Sequence, residues 1–449
     1  MQKKVDILVI GGGPAGSVSA ITARKYYPEK KILMLKGVQK GVIPCGIPYM
    51  LASLRTPEEN AMGERPLLKN KIEVVIDEAV KIERREKLVR TRNNDTYSYE
   101  KLILAIGSLP IFPPIPGINK KNVYAVYKDL TYLKKMLAEI QDVENILVLG
   151  GGFIGVEFAD ELSKISNGRK KIYLVEMLPN LLANSFDPEF SVQVEEKLKS
   201  QGVQILTGVR VEELLGKENV EEARLSTGDR LAVDCVILGI GAVPNTKLAQ
   251  EAGLTLGKGK GIWADEYMRT IDSDIFAVGD CVGKRDFFTR KDAPVMLAST
   301  ATAEARIAGA NLYQLKVVRE NKGTIAIFST YVSGLVLGSA GLTEKSARRE
   351  GFEIVSGEAE GIDKHPRAMP QVSRIKVKLI FSKQSGIILG GQVSGGMSCG
   401  ELINIIGVAI QKRISLTELE TLQMATHPYL TSAPTMYPLV LAAQNTVVE

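Results

Sequence analysis

Residues 5–16, VDILVIGGGPAG, run a short β-branched and leucine-rich segment directly into clustered glycines, and the helix-like SVSAITARKYY follows at 17–27. The local order is strand, tight turn, helix. The same order returns at 145–155, NILVLGGGFIG, with VEFADELSKIS after it at 156–166. A further apolar run closes each unit, KKILMLK at 30–36 and KKIYLVEM at 170–177. Strand, crossover helix and second strand predict a parallel, doubly wound sheet in each of two similar halves.

Gly11, Gly13 and Gly16 have the spacing G-x-G-x-x-G, as do Gly150, Gly152 and Gly155. The first glycine permits the tight turn, the second lets backbone N–H groups reach a pyrophosphate, and the third lets the helix pack closely. A tight βα loop alone can show one such spacing; two in matched contexts point to two dinucleotide sites. In the second unit the closing strand ends at Glu176, whose carboxylate can take both hydroxyls of an NAD ribose and repel a 2′-phosphate. NADH is thereby favoured over NADPH; the alternative is a solvated strand-end charge. The first unit ends in Leu35-Lys36 instead, so its ribose must be held by backbone or by a phosphate contact from Lys36.

The chain has 449 residues, 45% hydrophobic and 24% charged, enough for two or three cores. Its formal net charge of +6 comes without a long run of like charges, so no nucleic-acid partner is indicated. No apolar window is long enough to span a membrane, and the apolar start leads into a glycine turn rather than a cleavage site. A cytoplasmic protein with no membrane partner is expected. Cysteines stand at 45, 235, 281 and 399 without metal-ligand spacing, so neither a disulfide framework nor a metal site is expected.

The Pro-rich GSLPIFPPIPGI at 107–118 reads as an extended crossing between domains, and GIGAVPNTKLA at 239–249 as a second one. Further on, strand candidates GTIAIFSTYV, SRIKVKLIFS and GIILGGQVSG precede helix candidates GELINIIGVAIQK and SLTELETLQMA. The expected fold class is α/β with two Rossmann-like doubly wound dinucleotide-binding domains, one over 1–113 and 241–324, the other over 114–240. A C-terminal α+β domain over 325–449 completes it.

Beyond the two turns, LILAIGSLPIFPPIPG (102–117), GIGAVPNTKL (239–248), DIFAVGDCV (274–282) and SAGLTEKSARREGFE (339–353) follow in order. By these stretches the chain resembles the flavoprotein disulfide reductase superfamily over nearly its whole length. Within it, the similarity is to the single-cysteine branch of coenzyme A disulfide reductases, NADH oxidases, NADH peroxidases and persulfide reductases. The resemblance implies FAD on the first turn, with Pro14, Ala15, Pro44, Val80, Ala105 and Gly107 as contacts. Gly279 and Asp280 would meet the flavin's ribityl or phosphate part, and Ala298 would lie near the ring. NAD(P)H is implied on the second turn beside Phe153 and Ile154, with Glu157 close to the flavin face and Gly241 beside the nicotinamide. The third domain would build a homodimer.

Cys45, in GVIPCGIPYML at 41–51, matches the branch's redox cysteine; the positions that would complete a C-x-x-x-x-C pair are Lys40 and Met50. Gly46 admits a sharp turn and Pro48 suits a helix's first turn, so the thiol is expected at a helix N-terminus, where its pKa falls. Cys235 and Cys281 are expected to be packed, Cys399 to face solvent from a loop. The expected enzyme passes electrons from NADH through FAD and Cys45 to a small disulfide, persulfide or polysulfide. Two alternatives stay open: an NADH oxidase reducing oxygen to peroxide or water, and an electron-transfer or redox-sensing flavoprotein subunit acting on a protein partner.

Pro14 stands where peroxidase and oxidase relatives carry a histidine, which counts against efficient peroxide reduction. GVIPC replaces the S-F-x-x-C of coenzyme A disulfide reductases, although Arg24 and Lys25 lie where such enzymes present basic residues to the coenzyme's phosphates. A solvated helix end is the alternative for that pair. His427 or Tyr429, from the partner subunit of a homodimer, could protonate a leaving thiolate, or could cap or pack. His365 and Arg367 could line a substrate mouth or simply belong to a loop.

Overall fold

The computed structural model describes residues 2–166 and 168–447. Ile7–Ile10, Ile32–Lys36, Glu73–Ile76, Lys101–Leu104 and Ile275–Ala277 form one parallel sheet. Its central strand, ILVI, is buried at every position, as a parallel strand covered on both faces must be. From it the chain turns into the helix Pro14–Tyr26 and returns as Ile32–Lys36 on one side, while Lys101–Leu104 pairs on the other.

The second parallel sheet repeats this plan. Asn145–Leu149 lies between Lys171–Glu176 and Cys235–Leu238, with Gln204–Thr207 and Val123–Ala125 at the edges. Each glycine turn thus sits at the carboxyl end of a strand whose neighbours lead away in opposite directions, the switch point at which such sheets bind ligands. The two Pro-containing crossings meet: Ser108–Pro110 pairs antiparallel with Ala242–Pro244, placing Leu109 opposite Val243.

The C-terminal unit is an antiparallel sheet in the order Phe328–Val332, Leu335–Gly341, Ile388–Gly395, Arg374–Ser382, Ile354–Ile362. Two of these strands, LVLGSAG and IVSGEAEGI, are missing from the sequence reading. Gly338 makes room for the helix Cys399–Lys412, since a Cβ there would fall 2.7 Å from the Ile403 Cβ. The helix expected over 415–425 spans only Leu416–Glu420, opened by a Ser415–Glu418 capping box. Among the described residues no helix is long and apolar enough to cross a membrane.

One buried cation fastens this sheet to the second Rossmann-like unit. Lys378 Nζ lies 2.5 Å from Glu189, 3.2 Å from Glu344, 3.3 Å from Asp187 and 3.7 Å from Glu358. Asp187, which precedes the helix Pro188–Ser200, also accepts from the Gln392 amide at 2.6 Å. Lys378→Met keeps most of the volume but leaves these carboxylates without their cation. A loss of about 3 kcal/mol or more is expected, read as a lower urea midpoint; an unchanged midpoint would show that the cluster contributes nothing.

Candidate active site

Gly11 has φ of +115°, and a Cβ there would fall 2.1 Å from the Ala105 carbonyl oxygen; at Gly16 it would fall 1.9 Å from that of Gly11. Gly13 is different. Nothing lies within 4 Å of where its Cβ would stand, and as N-cap of the helix Pro14–Tyr26 it offers no side-chain cap. The first N–H groups of the helix are left to an anion over a surface that only glycine keeps bare, which fits a pyrophosphate. The second turn repeats the pattern. Gly150 has φ of +106°, a Cβ on Gly155 would fall 1.8 Å from the Gly150 carbonyl oxygen, and nothing lies within 4 Å of where a Gly152 Cβ would stand.

Other expected contacts gather at the first turn. A Cβ on Gly279 would lie 2.9 Å from that of Ala15 and 3.6 Å from that of Ala301, one turn into the helix that begins at Ala298. The Gly279 N–H donates to Glu304 at 2.9 Å and its carbonyl accepts from Lys284 at 2.6 Å; these two side chains are buried and pair at 2.8 Å. Asp280 is held at the rim, accepting from Ser108 Oγ at 2.9 Å and Lys128 Nζ at 3.0 Å. Gly107, with φ of +70°, accepts from the Asn245 N–H at 2.9 Å, and Gly241, with φ of +98°, accepts from the Ile111 N–H at 3.1 Å. Val80 sits apart, exposed at a β-bulge between Ala79 and Lys81. A flavin dinucleotide fits this cradle.

Lys36 is buried with its stem beneath Gly12, where a Cβ would meet Lys36 Cγ at 2.5 Å, and its ammonium pairs with Glu64. A carboxylate is thus brought to this strand end by Glu64, which precedes the helix Arg65–Lys69. Nothing in the local pattern of the sequence marks it. At the second turn Glu176 accepts from the Gly151 N–H at 2.6 Å and the Leu178 N–H at 2.7 Å, so its carboxylate faces the turn.

Cys45 does not start an α-helix. Pro44–Gly46 and Pro48–Met50 are two consecutive 3₁₀ turns, each opened by a proline, too short to supply a helix dipole. Asn60 braces the first: its amide donates to the Ile43 carbonyl at 3.1 Å, and a Cβ on Gly46 would strike Asn60 Oδ1 at 2.0 Å. The residue is exposed. The dense surroundings of its sulfur, and then Glu157, nevertheless push the thiol up, against a downward pull from Lys128. The expected lowering is thus not supplied by the turn.

Cys235, Cys281 and Cys399 are all buried. Cys399 is a correction: GGMSCGEL reads as a loop, but Cys399 opens the helix Cys399–Lys412 and points into its core, where burial pushes the thiol up to about 12. Burial likewise pushes Cys281 up to about 11.

Glu157 lies in the first turns of the helix Phe153–Ser166 and is buried. Burial, reinforced by Asp160 and Glu161, raises its carboxyl to about 7, against a bond of 2.9 Å from Thr330 Oγ1. The same helix packs on Pro48–Met50, whose Tyr49 neighbours Glu157.

Arg24 is engaged elsewhere than expected. Its guanidinium donates to the carbonyls of Asn70, Pro28, Lys30 and Lys71 at 2.8–3.1 Å, clamping the end of its helix, while Lys25 is exposed. The segments that carry His365 and His427 meet: the His365 N–H donates to the Pro428 carbonyl at 3.1 Å and its ring bonds the Thr431 carbonyl at 2.9 Å, while the Tyr429 N–H donates to His427 Nδ1 at 3.2 Å. Within one chain, among the described residues, no hydrogen bond joins this turn to Cys45. Sequence reasoning missed Glu64, Ser108, Lys128, Lys284, Glu304 and Thr330.

The family described as pyridine nucleotide-disulphide oxidoreductase matches residues 5–305, and its dimerisation domain matches residues 327–437. The chain belongs to this family. It is an NAD(P)H-dependent flavin oxidoreductase. An NADH oxidase of Methanocaldococcus jannaschii is 30% identical over 98% of both chains. An NAD(P)H coenzyme A polysulfide/persulfide reductase of Pyrococcus horikoshii is 29% identical over 88% of both. Among solved structures, an NAD-dependent persulfide reductase from A. fulgidus superposes with a TM-score of 0.90 at 28% identity, covering 99% of this chain and 82% of that one.

Two outcomes are expected. A thiol reagent should label one cysteine rapidly in the native protein, and Cys45→Ser should abolish that labelling, because the other three are buried; rapid labelling of a second site would contradict the packing. Glu157, with a folded pKa above its unfolded value, contributes stability present below about pH 4.5 and lost as pH rises through about 7. Glu157→Gln should therefore flatten the decline in thermal midpoint between pH 5 and 8, a differential of up to ~3 kcal/mol. Parallel curves for the two proteins would show that Glu157 ionises normally.

Proposed function

We propose that this oxidoreductase takes electrons from NADH and delivers them through Cys45 to a small disulfide, persulfide or polysulfide. The observation that carries the reading is a lone exposed thiol, with no cysteine placed to pair with it, whose electrostatic neighbours come from both glycine-turn units: Glu157 from the second and Asp280 from the first. FAD on the first turn would supply the two-electron relay between nicotinamide and sulfur. Gly11–Gly16, Asp280 and the start of the helix Ala298–Ala310 would hold it, with Glu64 and Lys36 at its ribose. Glu176 at the second turn favours NADH over NADPH.

Cys45 as thiolate attacks one sulfur of the acceptor, forming a mixed disulfide and expelling the other as thiolate. Two electrons from NADH then cleave that bond and restore Cys45. The sum is NADH, a proton and a disulfide giving NAD and two thiols. Glu157, poised near neutrality, is a resident group able to hold that proton. In a homodimer the turn carrying His427 and Tyr429 could serve the other copy's Cys45. Arg24 is tied to backbone carbonyls, which favours acceptors whose binding does not depend on an arginine–phosphate contact at that helix end. A reducing cytoplasm suits a single reactive thiol.

Oxygen is the second acceptor to consider, because the Methanocaldococcus relative is named an NADH oxidase. Anaerobic NADH consumption should accelerate with disulfide, persulfide or polysulfide. Cys45→Ser should cut that rate at least ~100-fold while flavin reduction by NADH persists. Retention of the thiol-acceptor rate in Cys45→Ser would remove Cys45 from the reaction, and turnover faster with oxygen than with any thiol acceptor would replace this reading by the oxidase one.

A further inference from the structure

The charges facing Cys45 are unevenly distributed. Glu157, from the helix Phe153–Ser166, and Asp280, from the turn Gly279–Cys281, are negative; Asp160 and Glu161 add to them around Tyr49 but share Lys164, at 2.8 and 2.5 Å. Lys128 is the cation that acts on the sulfur. Its place is set by backbone. Asp129 bridges Gly41, and the Leu130 N–H donates to the Lys40 carbonyl at 3.2 Å, so the chain at 128–130 is stitched to the loop that leads into Cys45. Asp129 also caps the helix Leu130–Gln141, accepting from the Tyr132 N–H at 2.8 Å. The Lys128 ammonium then closes a triangle with Ser108 Oγ at 2.9 Å and Asp280 Oδ2 at 3.0 Å.

We propose that Lys128 is a positioning residue of the reaction read above: it fixes the Asp280 carboxylate at the rim of the first glycine turn and holds a positive charge between that carboxylate and the Cys45 turn. A cation there favours the thiolate over the thiol, opposing part of the rise that burial and Glu157 impose on Cys45. It also ties the segment 128–130 to both the loop that leads into Cys45 and the Asp280 turn, so the sulfur and the rim of the first site keep their spacing. No glycine spacing or apolar period marks this lysine, which reads in sequence as one of many surface cations.

The test is the pH profile of Cys45 alkylation by iodoacetamide, followed by mass spectrometry on the flavin-loaded protein after reduction and desalting under argon. Lys128→Met should raise the midpoint by about half a unit to one unit, roughly 3- to 10-fold slower labelling at neutral pH, and lower the flavin content. Lys128→Arg should restore both, because it keeps the charge within reach of Asp280. Ser108→Ala, which loosens the ammonium without removing it, should fall between. If Lys128→Met loses all flavin, the profile is read on the flavin-free forms of it and the parent protein, which contain the same side chains around Cys45. An unchanged midpoint in Lys128→Met overturns the proposal, as does a midpoint that Lys128→Arg fails to restore. The midpoint is read on Cys45 itself, so this result is separate from the acceptor assay, which alone decides the reaction.

Discussion

The whole arrangement depends on backbone approaching backbone where no side chain fits. At Gly11 the turn rests against the Ala105 carbonyl, and at Gly16 the helix rests on the turn's own Gly11 carbonyl, each closer than any Cβ allows. These contacts let the helix Pro14–Tyr26 begin directly at the strand end and present uncapped N–H groups over bare Gly13. The second turn satisfies the same constraint at Gly150 and Gly155. The paired crossings Ser108–Pro110 and Ala242–Pro244 join the two units that carry these turns.

Charge is the second organising constraint, and in several places it is supplied from a distance. Lys36 replaces the usual strand-end carboxylate, and Glu64 returns one from another segment. The buried Lys284–Glu304 pair grips both the N–H and the carbonyl of Gly279, which orients Asp280 without touching its side chain. Both pairs join residues far apart in sequence, so each forms only once the sheet has brought its segments together.

This explains what was legible. The glycine spacings, the β-branched runs and the crossing prolines report backbone conformation, which local sequence encodes, so the two Rossmann-like units and their turns could be read directly. Cys45 stood out because glycines and prolines flank it and because the wider pattern of the chain matched a known branch. Glu64, Lys128 and Thr330 were invisible, since their significance lies in partners that no periodicity announces. Cys399 was misplaced for a related reason: the glycines around it suggest a loop, yet one of them, Gly396, is crowded by Ser373 and Asp363, and the chain enters a helix at Cys399 itself. The strand Leu335–Gly341 went unread, and at its Gly338 the place of a side chain is taken by Ile403.

The helix Phe153–Ser166 links the second glycine turn to the segment beyond Cys45 and to the C-terminal sheet. It begins at the second glycine turn, and its buried carboxylates each accept from a hydroxyl of another segment: Glu157 from Thr330 at 2.9 Å, Asp160 from Ser333 at 2.5 Å, Glu161 from Ser53 at 2.7 Å. Thr330 and Ser333 belong to the first hairpin of the C-terminal sheet, and Ser53 to the segment just beyond Cys45. A displacement of this helix would therefore be felt at the Cys45 loop and at the dimerisation domain together, because three hydrogen bonds to its carboxyl groups must be broken or carried along. The same burial raises Glu157 toward neutrality. The group that is costly to ionise is thus mounted on the element that begins at the second glycine turn and is bonded to the segment beyond Cys45, so in the proposed reaction the proton beside the sulfur and the nucleotide site would share one support.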